Sequence, residues 1–396
     1  MGKLRVAQLA AVLVVCVLAG FVVIGRPVSS VSLTSSVHQP LIFPSPEPLT
    51  SPTYELDEDI GSVMVFSWTG STSWSSVFPY LLRDHIGGVL FFTSNFGGTS
   101  RGMKEWSDRL LSLASGECLT HPMLLMTDEE GGSLANVKGS FVPPWPLEMA
   151  SSGASRVHDY EMANGAGLRA AGVALNLAPV ADVRTNSLDG IIGARSFGSS
   201  PAVTAPLVAA AVSGLHDGGV GATVKHFPGL GGAAGDPHYA IPTDRTSEAS
   251  WDAVQLPSFA AGISAGADAV MVTAVYEPGL DSSGLPAMFS PSLVSRLRTQ
   301  LGFNGVVMTD SLSMGGIGAR WSLPDAAVMA LAAGNDMLLL GNGDVGYESA
   351  AVAAVRAAVL SGRLDRARLH ESALRVNALR DHWGRRPMPC RAGLGG

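Results

Sequence analysis

After residue 56 the chain settles into a regular alternation. Short, almost uninterrupted apolar runs are separated by longer stretches with helical spacing. The runs are Ser62–Ser67, Gly88–Phe92, Met123–Asp128, Val173–Ala178, Gly221–Lys225, Asp268–Thr273, Gly305–Asp310 and Asp336–Leu340. A strand covered on both faces has no reason to alternate apolar and polar residues, so continuous runs of this length predict buried parallel strands. The intervening segments, such as Ser250–Ala265 and Ser290–Leu301, predict the crossover helices that parallel strands require. Eight such units predict an α/β protein, a single (β/α)8 TIM-like barrel over residues 57–384. An open doubly wound sheet is the competing arrangement.

The N-terminus reads differently. Lys3 and Arg5 precede an apolar run, Val6–Gly25, interrupted by Gln8. About 20 residues suffice to span a bilayer, and the basic head sets the orientation. Residues 1–26 are therefore expected to be a signal anchor or a cleaved signal peptide, the remainder being exported in either case. Residues 27–56, rich in Ser, Pro and Thr, cannot bury a core and predict an extended linker. Residues 385–396 read as a flexible tail. The expected location is the outer face of the cytoplasmic membrane, or the exterior.

Composition narrows the function. Hydrophobic residues make up 46% and charged residues 15%, enough for a large core, and the net charge of −7 provides no basic face for nucleic acid. No Cys/His pattern suits a metal. Cys118 and Cys390 could pair outside the cytoplasm, since Cys16 falls in the apolar run. Two short motifs are set aside. Gly262–Gly266 fits G-x-S-x-G, but a helix precedes it and a strand follows, the reverse of a nucleophile elbow. Gly341–Gly346 fits G-x-G-x-x-G, but the following segment, Arg363–Trp383, is helical where a dinucleotide site needs another strand.

Ionisable residues collect where barrel chemistry is performed, at the carboxyl ends of strands. Run three ends in Asp128-Glu129-Glu130-Gly131-Gly132. Run four ends near Asp182, with Arg195-Ser196-Phe197-Gly198 beyond it. Run seven ends in Asp310-Ser311. Run five ends in Lys225-His226-Phe227-Pro228-Gly229-Leu230-Gly231-Gly232, followed by Asp236-Pro237-His238. The chain has four lysines, Lys3, Lys104, Lys138 and Lys225, so one placed beside a histidine at a strand end is conspicuous.

These motifs, in this order, resemble glycoside hydrolase family 3, in particular its single-domain β-N-acetylglucosaminidases, over roughly Asp59–Leu379. The family's patterns are Asp-Gln-Glu-Gly-Gly, Arg-x-Phe-Gly, Lys-His-Phe-Pro-Gly-His-Gly with Asp-Ser-His, and Ser-Asp-Asp-Leu-Ser-Met. The resemblance implies a retaining β-N-acetylhexosaminidase with no cofactor, acting on a carbohydrate and requiring no nucleic acid. The protein is expected to be a monomer, held to the membrane by its N-terminal helix unless that helix is cleaved, with cell-wall-derived fragments as the expected source of substrate. The resemblance implies Asp310 as nucleophile, His238 as general acid/base, Asp236 as the group orienting it, and Asp128, Arg195, Lys225 and His226 as sugar contacts. The chemistry is consistent. Retention needs a carboxylate nucleophile and a separate proton donor, and histidine titrates near working pH. A glycine-rich loop can carry the Asp–His pair over the sugar, and Pro237 should stiffen it.

The sequence also departs from the family. The Arg-Val-x-Arg that usually follows Gly-Gly is Ser133-Leu134-Ala135-Asn136, and Lys138 is the nearby cation that could replace it. The loop histidine is Leu230. A barrel that binds glycan without cleaving it, a different sugar specificity, and phosphorolysis in place of hydrolysis all remain open at this level. Only 86 residues follow Asp310, which disfavours the two-domain arrangement in which a second domain provides the acid/base.

Overall fold

The computed structural model describes residues 53–68, 74–116, 119–139, 141–187, 190–341 and 344–385. The apolar N-terminal run, the linker before Thr53, Cys118, Cys390 and the tail lie outside the described residues. No described helix is long and apolar enough to cross a membrane.

Each of the eight apolar runs contains a strand: β1 (Met64–Phe66), β2 (Gly88–Leu90), β3 (Leu124–Thr127), β4 (Leu175–Asn176), β5 (Gly221–Phe227), β6 (Ala269–Val272), β7 (Val306–Thr309) and β8 (Leu338–Leu339). Every residue in them is buried, as strands covered on both faces require. All pairings are parallel, in the order β7-β6-β5-β4-β3-β2-β1-β8. A parallel bridge between Met308 and Met337 joins the two ends, with Thr309 N–H donating to the Met337 carbonyl at 3.0 Å. The sheet thus forms the barrel-like ring that the repeating pattern predicts.

Helix boundaries differ in detail. The segment Ser250–Ala265 is two helices, Glu248–Val254 and Leu256–Ser264, meeting at Gln255. Pro257 sits in the first turn of the second, where its missing N–H costs nothing. Ser264 ends that helix ahead of β6, so the G-x-S-x-G match is a helix–strand turn. The fold also begins before residue 57, because a helix runs from Thr53 to Ser62. Leu56 and Ile60, one turn apart, face the core. Asp59 on this helix pairs with Arg366 and, at 2.9 Å, with His370 of the final helix, Arg366–Trp383.

One buried charge ties the end of the chain to the barrel. Asp336, fully buried just before β8, accepts from Arg298 at 2.5 Å, Arg368 at 2.8 Å and the Val307 N–H at 2.9 Å, with Arg375 at 3.5 Å. Replacing it with alanine removes the carboxylate that three guanidinium groups share, leaving Arg368 and Arg375 with Glu371 and Arg298 with the Phe303 and Gly305 carbonyls. Asp336→Ala is therefore expected to cost about 3–5 kcal/mol, a fall in melting temperature on the order of 10 °C by calorimetry. Asp336→Asn, which keeps one acceptor, should lose less.

Candidate active site

The carboxyl ends of β3, β4, β5 and β7 open into a cleft of about 530 Å3. Its floor is an ion cluster. Lys225 is buried, and its ammonium lies 2.6 Å from both Asp128 and Glu130. Arg195 clasps Glu130 with Nε at 2.6 Å and Nη2 at 2.8 Å. Nη2 also lies 3.1 Å from His226 Nε2. A guanidinium can only donate, so Nε2 accepts and the His226 Nδ1–H donates to Asp182 at 2.7 Å.

Lys225 and His226 both line this cleft, which adjacent residues of a regular strand cannot do. The β5 register against β6 shifts between Lys225 and Phe227, and such an irregularity re-aims side chains. Asp182 fixes the turn that follows. It accepts from the backbone N–H of His226 at 3.2 Å and of Leu230 at 2.6 Å.

The electrostatics follow from burial and pairing. Burial alone would raise the Glu130 carboxyl. The nearby charges of Arg195 and Lys225 outweigh it and hold Glu130 well below the usual carboxylate range. Desolvation would lower the Lys225 ammonium, but Asp128 and Glu130 together raise it above its ordinary value. Both cations are thus fixed as charged and spent on carboxylates.

Asp310, directly after β7, is half-buried on the same cleft. Thr273 Oγ1 donates to its Oδ2 at 2.8 Å and the Ser311 N–H to its Oδ1 at 2.8 Å. His238 stands at the mouth, its side chain 64% exposed, with Nδ1 2.7 Å from Asp236 Oδ1. The same oxygen accepts the His238 backbone N–H at 2.9 Å.

The loop read from its glycines as mobile is docked here on the segment after β7. Gly315 N–H donates to the His238 carbonyl at 3.0 Å and Gly316 N–H to the Pro237 carbonyl at 3.2 Å. A Cβ on Gly315 would lie 2.5 Å from that His238 oxygen.

All seven residues expected from the sequence are accounted for. Asp128, Arg195, Lys225, His226, His238 and Asp310 line one cleft, and Asp236 holds His238 at its edge. Glu130, Asp182 and Thr273 were not anticipated as site groups, although each closes or follows a predicted strand. Lys138 is exposed and does not line the cleft, so it does not replace the missing arginines. Among the described residues no three His, Cys, Asp or Glu side chains form a metal-binding group.

Residues 56–379 match the glycosyl hydrolase family 3 N terminal domain. The chain belongs to glycosyl hydrolase family 3. It is 33% identical over 281 residues to a β-hexosaminidase from Xanthomonas oryzae pv. oryzae (strain MAFF 311018), covering 68% of this chain and 80% of that one. It is 32% identical over 289 residues to a β-hexosaminidase from Xylella fastidiosa (strain M23), covering 70% and 83%. Among solved structures, the family 3 β-N-acetylglucosaminidase from Paenibacillus sp. str. FPU-7 superposes with TM-score 0.79 at 32% identity. That superposition covers 85% of this chain and 65% of the Paenibacillus chain, slightly under two thirds. The β-N-acetylhexosaminidase from Beutenbergia cavernae DSM 12333 gives 0.75 at 30% identity, covering 82% and 98%. The chain is thus a glycoside hydrolase by family, with its strand-end motifs gathered at one cleft.

Glu129 is an acid where the family motif has glutamine. It is buried, and its Oε2 accepts the N–H groups of Asn136 and Val137, each at 2.9 Å. Desolvation pushes its pKa up to about 7 against those two donors, with Asp128 and Glu130 adding to the rise. The folded state therefore favours the neutral acid. The stability this contributes is complete below about pH 4.5 and is lost as pH rises through about 7. Glu129→Gln removes that loss. At pH 8 the shift is worth about 3 kcal/mol, so the variant's melting temperature relative to wild type should show near zero difference at pH 4.5 and be higher by about 5–10 °C at pH 8, checked by scanning calorimetry.

Proposed function

We propose that this glycoside hydrolase is a retaining β-N-acetylhexosaminidase that releases terminal β-linked N-acetylglucosamine. The observation that carries the proposal is the placement of Asp310 and the Asp236–His238 pair on the cleft whose floor is the Lys225–Asp128–Glu130–Arg195 cluster. The β-hexosaminidase relatives at 32–33% identity support it.

In this reading Asp310 attacks the anomeric carbon while His238 donates its proton to the departing glycosidic oxygen. A glycosyl ester on Asp310 results. Water then attacks the same carbon, His238 takes its proton, and Asp310 leaves. Two inversions give net retention. Asp236 fixes the ring of His238 and stabilises the imidazolium, as the carboxylate does in a hydrolytic triad. The Thr273 and Ser311 donors orient the Asp310 carboxylate. Asp128 and Arg195 present their remaining hydrogen-bonding capacity to the sugar hydroxyls and acetamido group, with Lys225 and His226 behind them. We place the enzyme outside the cytoplasmic membrane, on the strength of the Val6–Gly25 apolar run behind Lys3 and Arg5.

The test uses para-nitrophenyl β-N-acetylglucosaminide and the β-glucoside. Wild type should turn over the first, and Asp310→Ala should lower kcat by about 10⁴-fold or more. His238→Ala should cost about 10²–10⁴-fold on a disaccharide and less on the aryl glycoside, because nitrophenolate departs with little acid assistance. Folded wild-type protein that cleaves neither compound nor a disaccharide would overturn the reading. Gly315→Val should displace His238 by crowding its carbonyl, lowering kcat on the disaccharide while leaving the melting temperature within a few degrees. Unchanged kcat would mean the docked position of the loop is irrelevant to catalysis.

A further inference from the structure

The cleft is sharply graded with depth. Its floor is buried and charged: the side chains of Lys225 and Glu130 are 2% and 4% exposed. Toward solvent the lining carries no permanent charge. Leu134, 42% exposed, stands with the exposed Thr93, Ser133 and His238, and Phe92 and Ile191 are half-buried. Ser133 and Asn136 occupy the positions where the family pattern has arginines, and both line the cleft. Asn136 is committed to the fold. Its amide donates to the Asp128 carbonyl at 2.5 Å and accepts from the Thr93 N–H at 3.1 Å and hydroxyl at 3.0 Å. Ser133 is exposed.

The charge balance points the same way. Among the described residues lining the cleft, Asp128, Glu130 and Asp310 are acidic and only Lys225 and Arg195 are permanently basic. Both cations are held by carboxylates on the floor. The histidine at the mouth, His238, is itself paired with Asp236. An anion entering the cleft would face a lining with one more carboxylate than permanent cations and no uncommitted cation among the described lining residues.

The group beyond the scissile bond is the one that must contact this mouth. The proton donor, His238, stands there, and the leaving group departs past it. We propose that Ser133 and Leu134 make the enzyme selective for leaving groups that are uncharged, an aryl or alkyl group or a neutral sugar, and set it against those carrying a carboxylate. The inference rests on the hexosaminidase reading. It runs counter to a muramic-acid-type aglycone, whose lactyl ether is an anion.

The test compares two aryl β-N-acetylglucosaminides matched in leaving-group pKa, one neutral and one bearing a ring carboxylate. Wild type should show kcat/KM about tenfold lower for the carboxylate, with the gap narrowing as salt screens the repulsion. Ser133→Arg should raise the ratio of carboxylate to neutral kcat/KM by about tenfold. Leu134→Ala should raise KM for the neutral aryl glycoside several-fold while kcat holds, the signature of lost leaving-group contact. Equal turnover of the two substrates by wild type, or preference for the carboxylate, overturns the proposal while leaving the hexosaminidase reading intact. Failure to cleave the neutral substrate with any leaving group overturns both, and the absence of a glycosyl adduct on Asp310 in that case identifies the parent reading as the one at fault.

Discussion

A buried ammonium cannot stand alone. Lys225 lies two residues before the end of β5 with almost no access to water, and its charge is held by Asp128 and Glu130 from the loop after β3. Glu130 in turn holds Arg195 from the loop after β4, and Arg195 reaches His226 beside Lys225. Removing Glu130 leaves Arg195 without its carboxylate partner and Lys225 with one of its two, a penalty of several kcal/mol. The loops after β3 and β4 are thereby locked against β5 in one relative position. The floor of the cleft inherits its geometry from that constraint.

The two groups proposed to carry the chemistry, Asp310 and His238, are held by other means. Asp310 takes one hydrogen bond from a buried hydroxyl and one from its own neighbour's backbone. His238 is exposed, and backbone bonds from Gly315 and Gly316 place its loop. Such docking carries no charge, so it can be released more readily than the floor can be rearranged. The division suits a reaction in which one face must grip the sugar and the other must let the leaving group pass.

The strands were legible because burial on both faces writes continuous apolar runs, and all eight runs contain one. Their ends were less so. The fifth run was read to Lys225, but β5 continues to Phe227 through His226, since polar residues inside a strand look like a loop when only the pattern is visible. The start of the fold was placed at residue 57 because Ser and Pro dominate before it, yet Leu56 already faces the core. In the site, ordered motifs identified Asp128, Arg195, Lys225, His226, Asp236, His238 and Asp310. Glu130 was hidden by its neighbours: three consecutive acids give no sign of which one turns toward the cations. Thr273 carried no signal at all, because a threonine closing a strand is ordinary. Asp182 was visible as a strand-end carboxylate, but its role in tying His226 to Leu230 depends on a turn that only the structure displays.

The central claim is that Asp310 forms a covalent bond to the sugar. It is tested most directly by incubating the enzyme with a slow fluorinated N-acetylglucosaminyl fluoride and mapping any adduct by peptide mass spectrometry. The account predicts a single glycosyl adduct on the peptide containing Asp310, absent in Asp310→Ala. An adduct on another carboxylate, or turnover of the reagent with inversion and no adduct, would contradict it.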